Sequence, residues 1–131
     1  MVHDVRTTSP DASVREAIQL LLEHKIGGAP IVDSFGHLVS IVTEGDLLKL
    51  AAGGSLDAKL GACLQHLPKA EKLVTLSRTA TFAEAYKIFL SRSIRRILIV
   101  DSNGKLQGLV SRSNILRTLT GGLPADAVKK P

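Results

Sequence analysis

One cysteine, one tyrosine, three phenylalanines and no tryptophan in 131 residues leave several kinds of chemistry without material. The single thiol, Cys63, rules out an internal disulfide and fits a reducing compartment. An aromatic content of 3% offers little for stacking bases. The four histidines, His3, His24, His37 and His66, share no metal-ligand spacing. No long apolar run and no signal-like N-terminus are present, so the expectation is a soluble cytoplasmic protein without a membrane partner. Cys63 has no His/Asp arrangement to activate it and reads as a small apolar residue on a buried face. With no general base, nucleophile or metal cluster in view, the chain is expected not to be an enzyme.

What is present is unevenly distributed. Residues 1–68 carry five Lys/Arg against eight Asp/Glu, a balance of −3, while residues 69–120 carry ten against three, a balance of +7. The basic residues form no run or helical stripe, which argues against nucleic acid as the partner. An apolar content of 44% suffices for a compact interior.

A shift of 68 positions lays Ser9–Leu48 over Ser77–Leu116 without a gap, with about a third of the pairs identical. Gly36 falls on Gly104, Asp33-Ser34 on Asp101-Ser102, Glu16-Ala17 on Glu84-Ala85 and Ile26 on Ile94. Each copy begins with a short extended lead, Val5 to Thr8 or Leu73 to Leu76. A helix follows, opened by a capping box at Ser13-Val14-Arg15-Glu16 or Thr81-Phe82-Ala83-Glu84. Val14, Ala17, Ile18, Leu21 and Leu22 hold the spacing of one buried helical face, as do Phe82, Ala85, Tyr86, Phe89 and Leu90. Two strands come next, Pro30 to Asp33 with Val39 to Val42, and Leu98 to Asp101 with Leu106 to Val110. Their turns contain Phe35-Gly36 and Asn103-Gly104, where glycine permits a positive φ. A second helix ends near Gly53-Gly54 or Gly121-Gly122.

Four segments are expected: a first repeat over 1–54, a partly helical connector over 55–72, a second repeat over 73–120, and a mobile tail over 121–131. In the connector Ser55 reads as a cap, with Leu56, Leu60, Cys63, Leu64 and Leu67 at helical spacing until Pro68 stops it. One copy alone would leave a face of its small sheet wet. Two copies can bury those faces against each other about a pseudo-twofold axis.

The element entering the second helix carries the chemistry. Ser40-Ile41-Val42-Thr43-Glu44-Gly45-Asp46-Leu47-Leu48 returns as Gly108-Leu109-Val110-Ser111-Arg112-Ser113-Asn114-Ile115-Leu116. A strand turning into a helix at a hydroxyl residue leaves that hydroxyl and the first amides pointing outward, where they suit an anion. The acid three residues on can accept two hydrogen bonds from a vicinal diol such as a ribose. The same pairing also serves as a plain helix cap, and both readings stand at this point.

The order strand, helix, strand, strand, helix, duplicated, with Ile26-Gly27-Gly28-Ala29-Pro30-Ile31-Val32-Asp33 and the Thr-x-x-Asp turn, resembles a pair of cystathionine-β-synthase-type (CBS) domains, the arrangement called a Bateman module. The likeness covers about Val5 to Leu119. It implies an α+β fold of two pseudo-twofold-related β-α-β-β-α repeats packed through their sheets. It also implies a regulatory unit that binds AMP, ADP, ATP or S-adenosylmethionine between the copies, needs no obligatory cofactor, and often pairs into flat homodimers. Carried over by position, a first cleft combines Thr43 and Asp46 with Thr75, Ala80, Ile94, Arg95, Arg96 and Ile97. A second combines Ser111 and Asn114 with Thr7, Ala12, Gly27, Gly28 and Ala29. The first has a carboxylate for the ribose and two arginines for phosphate. The second has Asn114 where the family has Asp and glycines where the arginines would be, so it is expected to be weaker. Gly27-Gly28 is no phosphate loop, since no Lys-Ser/Thr follows it. The alternative is an interaction domain that has lost its ligands and pairs with itself or with a separately encoded partner.

Overall fold

A computed structural model describes residues 5–121, so all but the first residue of the expected tail lies outside the described residues. The chain divides into two compact units, one of Arg6–Leu73 and one beginning at Val74.

In the first unit α1 (Val14–His24) opens with a complete capping box. The Glu16 amide donates to Ser13 Oγ at 3.0 Å, and the Ser13 amide donates to the Glu16 carboxylate at 2.9 Å. Val14, Ala17 and Leu21 are buried, whereas Leu22, which the sequence pattern places on the same face, is exposed. β1 (Gly28–Val32) and β2 (Leu38–Thr43) pair antiparallel, from Gly28 opposite Thr43 to Val32 opposite Leu38. The extended lead expected over Val5 to Thr8 contracts to a single parallel bridge between Thr8 and Ile31. There the Thr8 amide donates to the Pro30 carbonyl and the Val32 amide to the Thr8 carbonyl, both at 2.9 Å. Asp33 lies beyond the strand because its carboxylate builds the turn, accepting from the Phe35 and His37 amides at 2.9 Å each. Gly36 takes φ +87° there. α2 (Glu44–Ala52) follows directly and is capped by Thr43.

The connector is partly helical, in 3₁₀ form and without the expected Ser55 cap. Its helical stretch is a 3₁₀ turn over Leu60–His66, with a second over Ala70–Lys72, and Ser55 caps neither. Residues 55–58 form a turn rather than a helix, and α1 uses their carbonyls: the Val14 and Arg15 amides donate to the Ala58 and Leu56 carbonyls at 2.9 Å. Those are the first two orphan donors of α1, which a regular connector helix would leave unsatisfied. In return the Leu60 and Gly61 amides donate to the Ala12 and Pro10 carbonyls at 2.8 Å. The buried Ser40 hydroxyl donates to the Pro68 carbonyl at 2.7 Å. Leu60, Cys63 and Leu67 join Val14, Ile31, Val42 and Leu47 in one core. Leu67 is extended, the conformation a following proline favours, so Pro68 does end the turn.

The second unit repeats the pattern with α3 (Phe82–Ser91), β4 (Arg96–Val100), β5 (Leu106–Ser111) and α4 (Arg112–Leu119). Its lead forms a true strand, β3 (Thr75–Leu76), parallel to β4 in a sheet of order β3-β4-β5. The capping box expected at α3 is half formed. Thr81 accepts from the Glu84 amide at 3.2 Å, but Glu84 makes no return bond. Glu84 is exposed. Leu90, like Leu22, is exposed: the apolar stripe read from the period of 3.6 is wider than the sheet it packs on. Both hairpins slip register at the same place, Ile31/Val32 and Ile99/Val100. Gly104 repeats the positive φ of Gly36 at +82°. Ala85, Ile97, Ile99, Val110 and Ile115 form the second core.

Candidate functional site

Each repeat presents its hydroxyl turn where a strand runs into a helix without an intervening loop. In the first, one carboxylate oxygen of Asp46 accepts from the Thr43 amide at 2.9 Å and from the Thr43 hydroxyl at 2.8 Å. The Asp46 amide donates back to Thr43 Oγ1 at 3.4 Å, and the Glu44 amide donates to the Gly27 carbonyl at 3.0 Å. The outward-pointing hydroxyl and amides expected from the sequence are therefore mostly engaged within the turn. Capping satisfies them more cheaply than leaving orphan donors for an anion. What remains is the second carboxylate oxygen, Oδ1. This turn favours a hydrogen-bond donor such as a sugar hydroxyl over a bare anion.

The second turn copies the first with an amide in place of the acid. The Ser111 amide and hydroxyl donate to Asn114 Oδ1 at 2.8 and 3.1 Å, and the Asn114 amide returns to Ser111 Oγ at 3.3 Å. Asn114 is buried. The capping geometry thus needs only a carbonyl-type oxygen and not a charge.

The remaining sequence-derived candidates sit in their own units. Gly28 pairs with Thr43 and Ala29 with Val42 across the first hairpin, so Gly27, Gly28 and Ala29 lie beside the first turn. Ala29 is buried, as are Ala80 and Ile97 in the second unit, which leaves mainly their backbones rather than their side chains for any ligand. Thr7 is exposed and Ala12 packs against the first core. In the second unit Arg96 pairs with Ser111, Ile97 with Val110, and the Arg112 amide donates to the Arg95 carbonyl at 3.2 Å. Arg95 is exposed, Arg96 and Ile94 are half-buried, and Thr75 pairs with Leu98.

Asp46 also stands at the wall of a recess of about 590 Å³ in the first unit, shared with Lys49, Leu50, Ser55, Cys63 and His66. Sequence reasoning missed Lys49, Ser55 and His66. The i, i+3 relation of Asp46 and Lys49 is a legible signal. The return of the connector against α2 depends on packing between distant residues and is not. Among the described residues no three His, Cys, Asp or Glu side chains gather where a metal could sit, and no helix is long and apolar enough to cross a membrane.

The duplicated fold with its two capped turns corresponds to a known architecture. The family profile described as the CBS domain matches residues 1–53 and 69–121, and the chain belongs to that family as a tandem pair. An uncharacterised 17.7 kDa protein of Acidianus ambivalens is 32% identical over 95% of this chain and 77% of its own length. The chloroplastic CBS domain-containing protein CBSX1 of Arabidopsis thaliana is 31% identical over 87% of the chain and 58% of its own length. Inosine-5'-monophosphate dehydrogenase of Aquifex aeolicus is 30% identical over 89% of the chain, which spans 23% of that enzyme. Among solved structures, CBSX2 in complex with AMP superposes with a TM-score of 0.78 at 26% identity, covering 92% of both chains.

Proposed function

We propose that the chain is a regulatory module that senses an adenosine-containing ligand and performs no chemistry of its own. The observation that carries this reading is the Thr43-Asp46 turn: one carboxylate oxygen is consumed by the cap, and the other is available to the hydroxyls of a ribose. The likeness to CBSX2, a protein crystallised with AMP, supports the choice of ligand class. Arg95 and Arg96 are the second repeat's contribution to phosphate in this reading, together with Thr75, Ala80, Ile94 and Ile97. The Ser111-Asn114 turn, with Thr7, Ala12 and Gly27 to Ala29, forms the weaker site. Sensing requires the ligand to prefer one arrangement of the protein over another.

A second reading, an interaction domain without ligands, is favoured by the degree to which each turn satisfies itself. Isothermal calorimetry with AMP, ADP, ATP and S-adenosylmethionine separates the two. Saturable binding weakened by Arg96→Ala supports sensing, and no heat with any of the four supports the interaction domain.

A further inference from the structure

The recess beside Asp46 encloses about 590 Å³, a size usual for small-molecule sites, and all of its lining belongs to the first unit. Buried Leu50 and Leu67 line it from α2 and from the connector, and Asp46, Lys49 and His66 supply its ionic and ring-nitrogen groups. The connector wall is pinned in place. Its Leu60 and Gly61 amides donate to the Ala12 and Pro10 carbonyls, and a Cβ on Gly61 would stand 3.1 Å from the Pro10 carbonyl oxygen. That wall lies outside the copied segments, so repeat symmetry does not generate the recess. Asp46 and Lys49 stand three residues apart on α2, a spacing at which an acid and a base can pair. Among the described residues, however, Lys49 pairs with neither Asp46 nor any other acid, and the His66 ring makes no hydrogen bond. Both side chains are exposed and available to a ligand.

We propose that this recess is an anion subsite for the group carried on the 5′ carbon of the ribose, with Lys49 and His66 holding a phosphate there. The proposal rests on the adenosine reading, in which Asp46 Oδ1 takes the ribose hydroxyls. Lys49 lies about 4.5 Å further along the helix axis, comparable to the reach from those hydroxyls to the 5′ substituent. A phosphate at that point meets an ammonium and a ring N–H donor. S-adenosylmethionine presents a sulfonium cation at the same point, and the lysine repels it. The subsite therefore selects nucleotides over S-adenosylmethionine, a distinction that Asp46 alone cannot make.

Isothermal calorimetry of AMP and S-adenosylmethionine with the full chain, Lys49→Glu and His66→Ala provides the test. The wild type should bind AMP the more tightly of the two. Lys49→Glu should bind AMP at least about tenfold more weakly, through loss of a charge-assisted bond, and S-adenosylmethionine more tightly than the wild type does. His66→Ala should weaken AMP by about two- to tenfold and leave S-adenosylmethionine unchanged. Opposite movement of the two ligands on one substitution cannot come from a misfolded variant. AMP held as tightly by either variant as by the wild type, or both ligands weakened in parallel, would overturn the subsite and leave the adenosine reading standing. A wild type that binds neither ligand would overturn both.

Discussion

Replacing Asp46 in two different ways separates its two roles. Asp46→Asn keeps an amide oxygen where the carboxylate accepts from Thr43, and the native Ser111-Asn114 turn holds the same bonds at 2.8 and 3.1 Å. The cap should survive, with a loss of about 0.5 kcal/mol from removing a negative charge at a helix N-terminus. Hydrogen bonds to a charged acceptor contribute about 1.5–3 kcal/mol and those to a neutral one about 0.5–1.5, so a ribose held by the remaining oxygen should lose about 1–1.5 kcal/mol, or roughly tenfold in affinity. Asp46→Ala removes the acceptor altogether. It should cost about 1 kcal/mol of stability through the broken capping box and lower the melting temperature by about 4 °C, besides weakening ligand binding further. Calorimetry with AMP and thermal denaturation of the wild type and both variants give both numbers. If the Asp46→Asn variant binds AMP as tightly as the native protein while the Asp46→Ala variant loses only stability, the acid is a cap and its role in holding the ribose is refuted.

Three further outcomes follow from the packing and the turns. Leu60→Ala should destabilise the first unit by about 2–5 kcal/mol in urea denaturation, since a fully buried connector residue leaves a cavity behind; a loss under about 1 kcal/mol would mean that the connector is not part of that core. Gly36→Ala should cost about 1 kcal/mol although a Cβ there meets nothing within 4 Å, because the whole penalty lies in holding φ at +87°; a neutral result would refute the turn conformation. Desolvation pushes the Asp33 carboxyl up, but hydrogen bonds from the His37 and Phe35 amides and the His37 imidazole outweigh it and hold it below its ordinary value of 3.8. A depressed carboxyl stabilises the folded state above that value and loses its effect as pH falls through the lower folded one. Asp33→Asn should therefore lie below wild type in melting temperature at neutral pH and converge with it in acid.

Much of the fold is legible because its signals are local. The hairpins rest on Gly36 and Gly104, whose positive φ few other residues adopt, and on Asp33 and Asp101, which accept from amides two and four residues away. The caps at Ser13, Thr43 and Ser111 likewise reach only three residues. What the sequence hides is where a local signal gives way to a distant demand. Ser55 has the chemistry of a cap, yet α1 draws the following carbonyls away from helical pairing. Leu22 and Leu90 keep the period of a buried face, and periodicity cannot tell a side chain that meets its own sheet from one left outward. At the candidate site the residue types were readable, but the capture of the Thr43 hydroxyl by Asp46 emerges only from coordinates.

Ancestral duplication and present-day cooperativity cut this chain at different places. The copied segment ends near the close of α2, whereas the linking stretch after it is welded to the earlier copy through the amides of α1 and the burial of Leu60. Scissors applied at the boundary of the ancestral copy would sever that weld and strip the earlier half of part of its interior, while a cut between Leu73 and Val74 would spare it. Swapping halves among relatives should succeed only when the linking stretch travels with the half it was fastened to.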